Sequence, residues 1–265
     1  MGEVLCERRG VVLWLTINRP ALRNALNAEV LEQLTTAVRT ARSDHTLRAI
    51  VLTGAGDKAF SAGGDLKSGG GRGDASQSNP FQAEIAHVDN PLVNFYQEVE
   101  RCDLPIIARV NGHAMGGGLG LLACCDLAIA AEDALLATPE VKIGLFPMMI
   151  ATYLIRLVPR RRLMAMVLTG DTLSAIEGVE YGLLNAAVPR AELDAKVASL
   201  LESLCARSPT AQRLGKHALR AVEEMTIEQS HEYMMLMISR MALTADAQEG
   251  MAAFSEKRAP QWTGD

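Results

Sequence analysis

Apolar and polar positions change period several times along the chain. The run VVLWLTINRP, Val11–Pro20, is nearly all apolar until it stops at Asn-Arg-Pro, and it predicts a strand. Leu26, Val30, Leu31, Leu34 and Val38 then recur at helical spacing, with Asn24 or Asn27 as N-cap. RAIVLTGAG reads as a buried strand that ends in a glycine turn. The stretch 68–80 holds Gly, Ser, Asp, Asn and Gln with almost nothing to bury, and predicts a mobile loop. A helical pattern returns from Pro91 to Arg101. PIIARVNG predicts a further strand and glycine turn, GGLGLLACC a helix buried on nearly all sides, and DLAIAAEDALLATPE a strand, a turn and a short strand.

Two of these units echo each other. RAIVLTGAGDKAFSAGGDL and PIIARVNGHAMGGGLGL both run from apolar strand to glycine turn to small residues to helix. That order suits stacked β-β-α turns. After about Gly170 the strand signals fade. A short helix that Gly182 could cap comes first, then the amphipathic AELDAKVASLLESLCARS. A helix with Ser208 as N-cap and Pro209 at N1 follows, and then a methionine-rich helical segment suited to a core or a subunit interface. The pattern divides into a mixed α/β core over residues 1–195 and a helical region over 196–265.

Composition narrows the class. At 265 residues, 49% hydrophobic and 22% charged, the chain is long enough to bury a core without staples. The net charge of −5 and the lack of a sustained basic stripe argue against nucleic acid as a partner. The five cysteines form no C-x-x-C pair and read as reduced, mostly buried thiols. No stretch reaches the length of a membrane span, and MGEVLCERRGVVLWL lacks a cleavable apolar leader. A cytoplasmic protein is expected.

The glycines carry the candidate chemistry. Gly116, Gly117 and Gly118 precede a helix, and Ala62, Gly63 and Gly64 form a second small-residue turn before Asp65 and Leu66. Bare backbone can present two N–H donors to one developing oxyanion, which side chains would obstruct. Taken singly, either cluster could equally serve tight packing. Together, KAFSAGGDL, ARVNGHAMGGGLGLLACCDLAIA and TPEVKIGL, with NRPALRNALN near the start and FSEKRAP near the end, resemble the enoyl-CoA hydratase/isomerase (crotonase) superfamily. The resemblance runs over essentially the whole chain, in order.

That resemblance implies a spiral of β-β-α turns with a C-terminal helical region used in trimer formation, two trimers often stacking into a hexamer. It implies acyl-CoA thioesters as substrates and no cofactor beyond their CoA moiety. The amides of Gly64 and Gly117 match the oxyanion-hole positions. The CoA end would lie along Leu22, Arg23 and Ala25 and along Ala62, Gly63, Gly64, Asp65 and Leu66, with Lys257 near a CoA phosphate. The family's hydratases use two glutamates; the second is present here as Glu140, while the first position is Gly120. Glu140 is therefore the expected acid/base, its pKa raised by Pro139, Val141 and Ile143.

Gly120 leaves three readings open. The first is a hydratase working with Glu140 and a water held otherwise, with Glu84, Asp89 and Glu98 as stand-in acids. The second is a Δ3-Δ2 enoyl-CoA isomerase, for which one carboxylate suffices, and the third is an acyl-CoA binder without turnover. Met148 and Met149 could line an apolar acyl pocket or pack the next helix. His113 sits inside the glycine segment. No histidine pair has metal-ligand spacing, Ser61 lies in no G-x-S-x-G elbow, and GGGRGD lacks the Lys-Ser/Thr of a nucleotide loop.

Overall fold

The structure is a computed structural model that describes residues 2–65 and 90–265. The expected loop over 68–80, Leu66, Glu84 and Asp89 lie outside the described residues. A hairpin opens the fold. Strand β1 (Val4–Arg9) pairs antiparallel with β2 (Val12–Ile17), and the turn contains Gly10 at φ 61°. The apolar run over 11–20 supplied only β2. The first strand escapes because five of its six residues are exposed, as suits a sheet edge kept polar.

From β2 the sheet grows parallel through β3 (Ala49–Gly54), β5 (Ile106–Val110), β7 (Leu127–Ala131) and β10 (Ala186–Val188). All six residues of β3 are buried, which is why it reads as an unbroken apolar run. A second sheet holds β4 (Ala59–Ser61), β6 (His113–Met115), β8 (Leu135–Ala137) and the antiparallel β9 (Thr172–Ser174).

The two sheets are strung together in step. The chain passes from β3 to β4, from β5 to β6 and from β7 to β8, and both sheets keep these strands in the same order. Each pass is one turn of a spiral. The echo seen in sequence is two of these turns; β7 and β8 form a third. One consequence matters most: the bends that follow β4, β6 and β8 stack side by side.

Helices cover both faces. On one side, α1 (Ala28–Arg42), α2 (Pro91–Glu100), α3 (Gly117–Ala123), α4 (Met148–Leu157), α5 (Arg160–Thr169) and α6 (Ala175–Glu180) enclose the main core. Asn27 caps α1 by accepting from the Val30 N–H at 2.9 Å. Asn24, the other candidate cap, is instead buried at φ 55° and donates to the carbonyls of Ala55 and Ala59. On the other side, α7 (Leu193–Cys205) lays Leu193, Val197 and Leu201 on Val12, Val51 and Ile129. The expected division at 195/196 falls within α7.

The tail continues as α8 (Pro209–Val222), α9 (Ile227–Ala242) and α10 (Ala245–Glu256). Ser208 caps α8 with Pro209 in its first turn, as read from sequence. Asp246 fastens the tail. Burial would raise its pKa, but bonds from the Ser208 hydroxyl and the N–H groups of Gly264, Thr263 and Thr210 hold it at about 2. All five cysteines are free; Cys6 is exposed, while Cys102 and Cys124 are buried.

Candidate active site

Three bends meet at one place. The bend after β4 carries Ala62, Gly63 and Gly64; that after β6 carries Gly116 and Gly117; that after β8 carries Thr138, Pro139 and Glu140. Gly63 has φ 86°, and a Cβ there would lie 2.7 Å from the Met115 carbonyl oxygen and 3.0 Å from the Gly117 nitrogen. No side chain fits, so the first two bends approach backbone to backbone. A Cβ on Gly117 would stand 3.6 Å from the Gly64 nitrogen. The Gly64 and Gly117 amides are thus neighbours. Neither N–H has a hydrogen-bond acceptor among the described residues. Gly117 is the first residue of α3, where a helix leaves its N–H groups unpaired.

Glu140 sits in a short 3-10 turn, Pro139–Ile143. Buried Thr138 anchors it by donating to the Met166 carbonyl at 3.1 Å. The Glu140 Oε1 lies 3.0 Å from the point a Cβ on Gly116 would occupy. Its Oε2 is buried and has no hydrogen-bond partner among the described residues. Burial raises the Glu140 pKa, and a bond from its own backbone N–H opposes this in part. A half-buried carboxyl therefore stands beside two N–H donors that no described residue engages.

The turn at the N-terminal end joins the same cluster. A 3-10 turn over Pro20–Leu22 leads into Arg23 and Asn24, both left-handed. Ala62 N–H donates to the Arg23 carbonyl at 2.9 Å, Leu26 N–H to that of Gly63 at 2.8 Å, and Asp65 N–H to that of Leu26 at 2.7 Å. So Leu22, Arg23 and Ala25 run alongside Ala62, Gly63, Gly64 and Asp65, the two segments expected to carry the CoA end. Leu22, Arg23 and Ala62 are exposed, and Ala25 is buried. The Asp65 side chain is also buried, where it accepts from Arg19 at 2.9 Å. Arg19 further donates to the Ala25 carbonyl at 2.6 Å and pairs with Glu3 at 3.1 Å. Arg19 thus braces the turn from within, a role no local pattern announces.

Other candidates lie elsewhere. Lys257 is exposed at the left-handed C-cap of α10, whose helix packs on α8 and α9. Glu98 is buried on α2 but faces Arg101 at 3.3 Å, Arg39 at 3.4 Å and Arg42 at 4.0 Å. The His113 ring accepts the Leu135 N–H at 3.1 Å along the β6–β8 seam. Met148 is 69% exposed, whereas Met149 lines a cavity of about 320 Å³ with Val93, Tyr96 and Tyr153. Among the described residues no three His, Cys, Asp or Glu side chains converge as a metal site requires. No helix among them is long and apolar enough to cross a membrane.

Gly120 is the surprise. It lies one turn into α3, its N–H bonded to the Gly116 carbonyl at 3.1 Å. The space its side chain would fill is already taken. A Cβ there would meet the Tyr96 Oη at 2.2 Å and the Ile150 Cγ2 at 2.3 Å. Nothing near Tyr96 in the sequence signals this, because packing between three helices brings the residues together.

Solved structures share this architecture. An enoyl-CoA hydratase from Mycobacterium smegmatis superposes with a TM-score of 0.91 at 33% identity, covering 99% of both chains. The human enoyl-CoA hydratase domain-containing protein 3 gives 0.90 at 28% identity, over 98% of this chain and all of the other. These likenesses define the fold as crotonase-like α/β. In sequence, the 2,3-dehydroadipyl-CoA hydratase of Escherichia coli is 33% identical over the full length of both chains. A probable mitochondrial enoyl-CoA hydratase of Dictyostelium discoideum is 34% identical over 97% of this chain and 89% of its own. The enoyl-CoA hydratase/isomerase family model matches residues 7–265, and the chain belongs to that family.

Proposed function

We propose that this protein adds water reversibly to the double bond of a 2-enoyl-CoA thioester, with the Gly64 and Gly117 amides as oxyanion hole and Glu140 as the single acid/base. The observation that carries the reading is the convergence of two unpaired amides with one unpartnered carboxyl oxygen, each supplied by its own turn of the spiral. The family's relatives named as enoyl-CoA hydratases support it.

The step balances with one carboxylate. Glu140 takes a proton from water as the water oxygen bonds to C3. The π electrons move through C2 onto the thioester oxygen, where the Gly64 and Gly117 N–H groups hold the negative charge. Glu140 then returns the proton to C2 and the carbonyl re-forms. The exposed turn at Leu22 and Arg23, with Ala25, Ala62, Gly63, Gly64 and Asp65 alongside, carries the CoA end. No cofactor beyond that CoA moiety enters the scheme.

A second reading draws on Gly120. With one carboxylate, Glu140 can also take a proton from C2 of a 3-enoyl-CoA and return it to C4. Incubation with a 2-enoyl-CoA and, separately, a 3-enoyl-CoA decides. Loss of conjugated absorbance with the first supports hydration, and gain of it with the second supports isomerisation. Binding with no change in either defeats both.

The tail fits a homotrimer, singly or stacked as a hexamer. Its helices expose Ile227, Met235, Leu236, Leu243 and Phe254, the last at 88%, apolar side chains that a subunit interface would bury. Light scattering should return three or six times the chain mass; a monomer at micromolar concentration would end that proposal.

A further inference from the structure

We infer that the Tyr96 hydroxyl donates a hydrogen bond to the oxygen that bonds to C3 of the substrate, from the space that a side chain at residue 120 would have filled. This rests on the hydration reading above. Four observations carry it.

The Tyr96 side chain is held in place. It projects from α2, is 7% exposed, and its ring meets Tyr153 edge to face with centroids 4.9 Å apart. Its Oη is buried with no hydrogen-bond partner among the described residues. A phenylalanine would fill the same volume without leaving a donor unmade, so the hydroxyl asks for a function.

The location is the third observation. The Oη lies 2.2 Å from the Cβ point of Gly120, and Glu140 Oε1 lies 3.0 Å from that of Gly116. Gly116 caps α3 and Gly120 lies one turn further on, its N–H bonded to the Gly116 carbonyl, so both groups border the start of the same helix, where one oxygen can take a hydrogen bond from Tyr96 and give one to Glu140.

The phenol also stays protonated. Burial raises its pKa well above the ordinary value, and the nearby Glu140 carboxylate pushes the same way. Tyr96 therefore acts as a donor and never as the base. During hydration it orients the attacking oxygen while Glu140 takes the proton; in the reverse direction it steadies the departing oxygen. No proton passes through Tyr96, so the step written above keeps its balance.

The test is Tyr96→Phe. We expect kcat for hydration to fall about 10–100-fold, the value of one hydrogen bond to a group gaining charge. KM for the 2-enoyl-CoA and the melting temperature should not worsen, since no made bond is lost from the free protein. Hydration by the variant at the parent's rate overturns the inference alone. A parent protein that does not hydrate any 2-enoyl-CoA overturns the proposed function, and this inference with it. A crystal structure of the parent with a 3-hydroxyacyl-CoA gives a reading independent of the variant. The C3 oxygen should lie within about 3 Å of Tyr96 Oη; a position out of hydrogen-bond reach rejects the assignment.

Discussion

Glu140→Gln removes turnover and leaves the fold intact. The amide matches the carboxylate in shape but cannot take a proton from water, so the expected loss in kcat is about 10²–10⁴-fold. Binding of an acyl-CoA, followed by calorimetry, should persist, because the Gly64 and Gly117 amides and the turn at Leu22 and Arg23 are untouched. The pH profile of the parent follows from the raised pKa of Glu140. Hydration needs the ionised carboxylate, so kcat falls as pH drops through that raised value, above the ordinary range for a glutamate.

Stability moves the other way. A carboxyl whose folded pKa exceeds its unfolded one contributes stability below the unfolded value, about 4.3, and loses that contribution as pH rises through the folded value. Near neutrality the ionised Glu140 therefore costs stability, and Glu140→Gln should melt higher than the parent there, but not near pH 4. Thermal scans at both pH values check the sign. A variant turning over at the parent's rate would remove Glu140 from the mechanism.

Gly120→Glu, which writes a second acid into α3, should yield an unstable protein with no gain in rate. A Cβ at this position would lie 2.2 Å from Tyr96 Oη, 2.3 Å from Ile150 Cγ2 and 3.1 Å from Ile150 Cβ. Ile150 is anchored on α4, 2% exposed, and the Tyr96 ring is braced by Tyr153. Overpacking of this kind costs about 1–3 kcal/mol, the expectation for Gly120→Ala. For a chain of this size that lowers the melting temperature by roughly 2–4 °C per kcal/mol. The glutamate adds the burial of a charge, so its penalty is larger. Combining Gly120→Ala with Tyr96→Phe removes the nearest clashing atom, and the double mutant should be more stable than the sum of the two single changes. Gly120→Ala melting with the parent would mean that α3 and α4 give way easily.

Much of the spiral is legible in the sequence because its inner strands are buried on both faces. Ile50 to Leu52 and Ile106 to Ala108 are unbroken apolar runs that lead into the glycine turns at Gly54 and Gly112. Strand β1 is hidden by Glu7, Arg8 and Arg9. Strands β9 and β10 have three residues each, too few to display a period. Gly64, Gly117 and Glu140 are expected together only through the family resemblance, and the structure sets each in the bend after a short strand of successive turns. Tyr96 could not be read in advance, since its place is decided by how α2, α3 and α4 press together. Nor could the Arg19–Asp65 pair, whose members stand on separate turns and meet only when the chain has closed.

The bonds between residues 23–26 and 62–65 have one more effect. They splice two loops into a single stiff piece of main chain. Whatever seizes the outer loop tugs on the inner one, so a handle far from the reacting carbons would set the aim of the Gly64 amide. Grip at a distance and polarisation of the carbonyl would then rise and fall as one quantity.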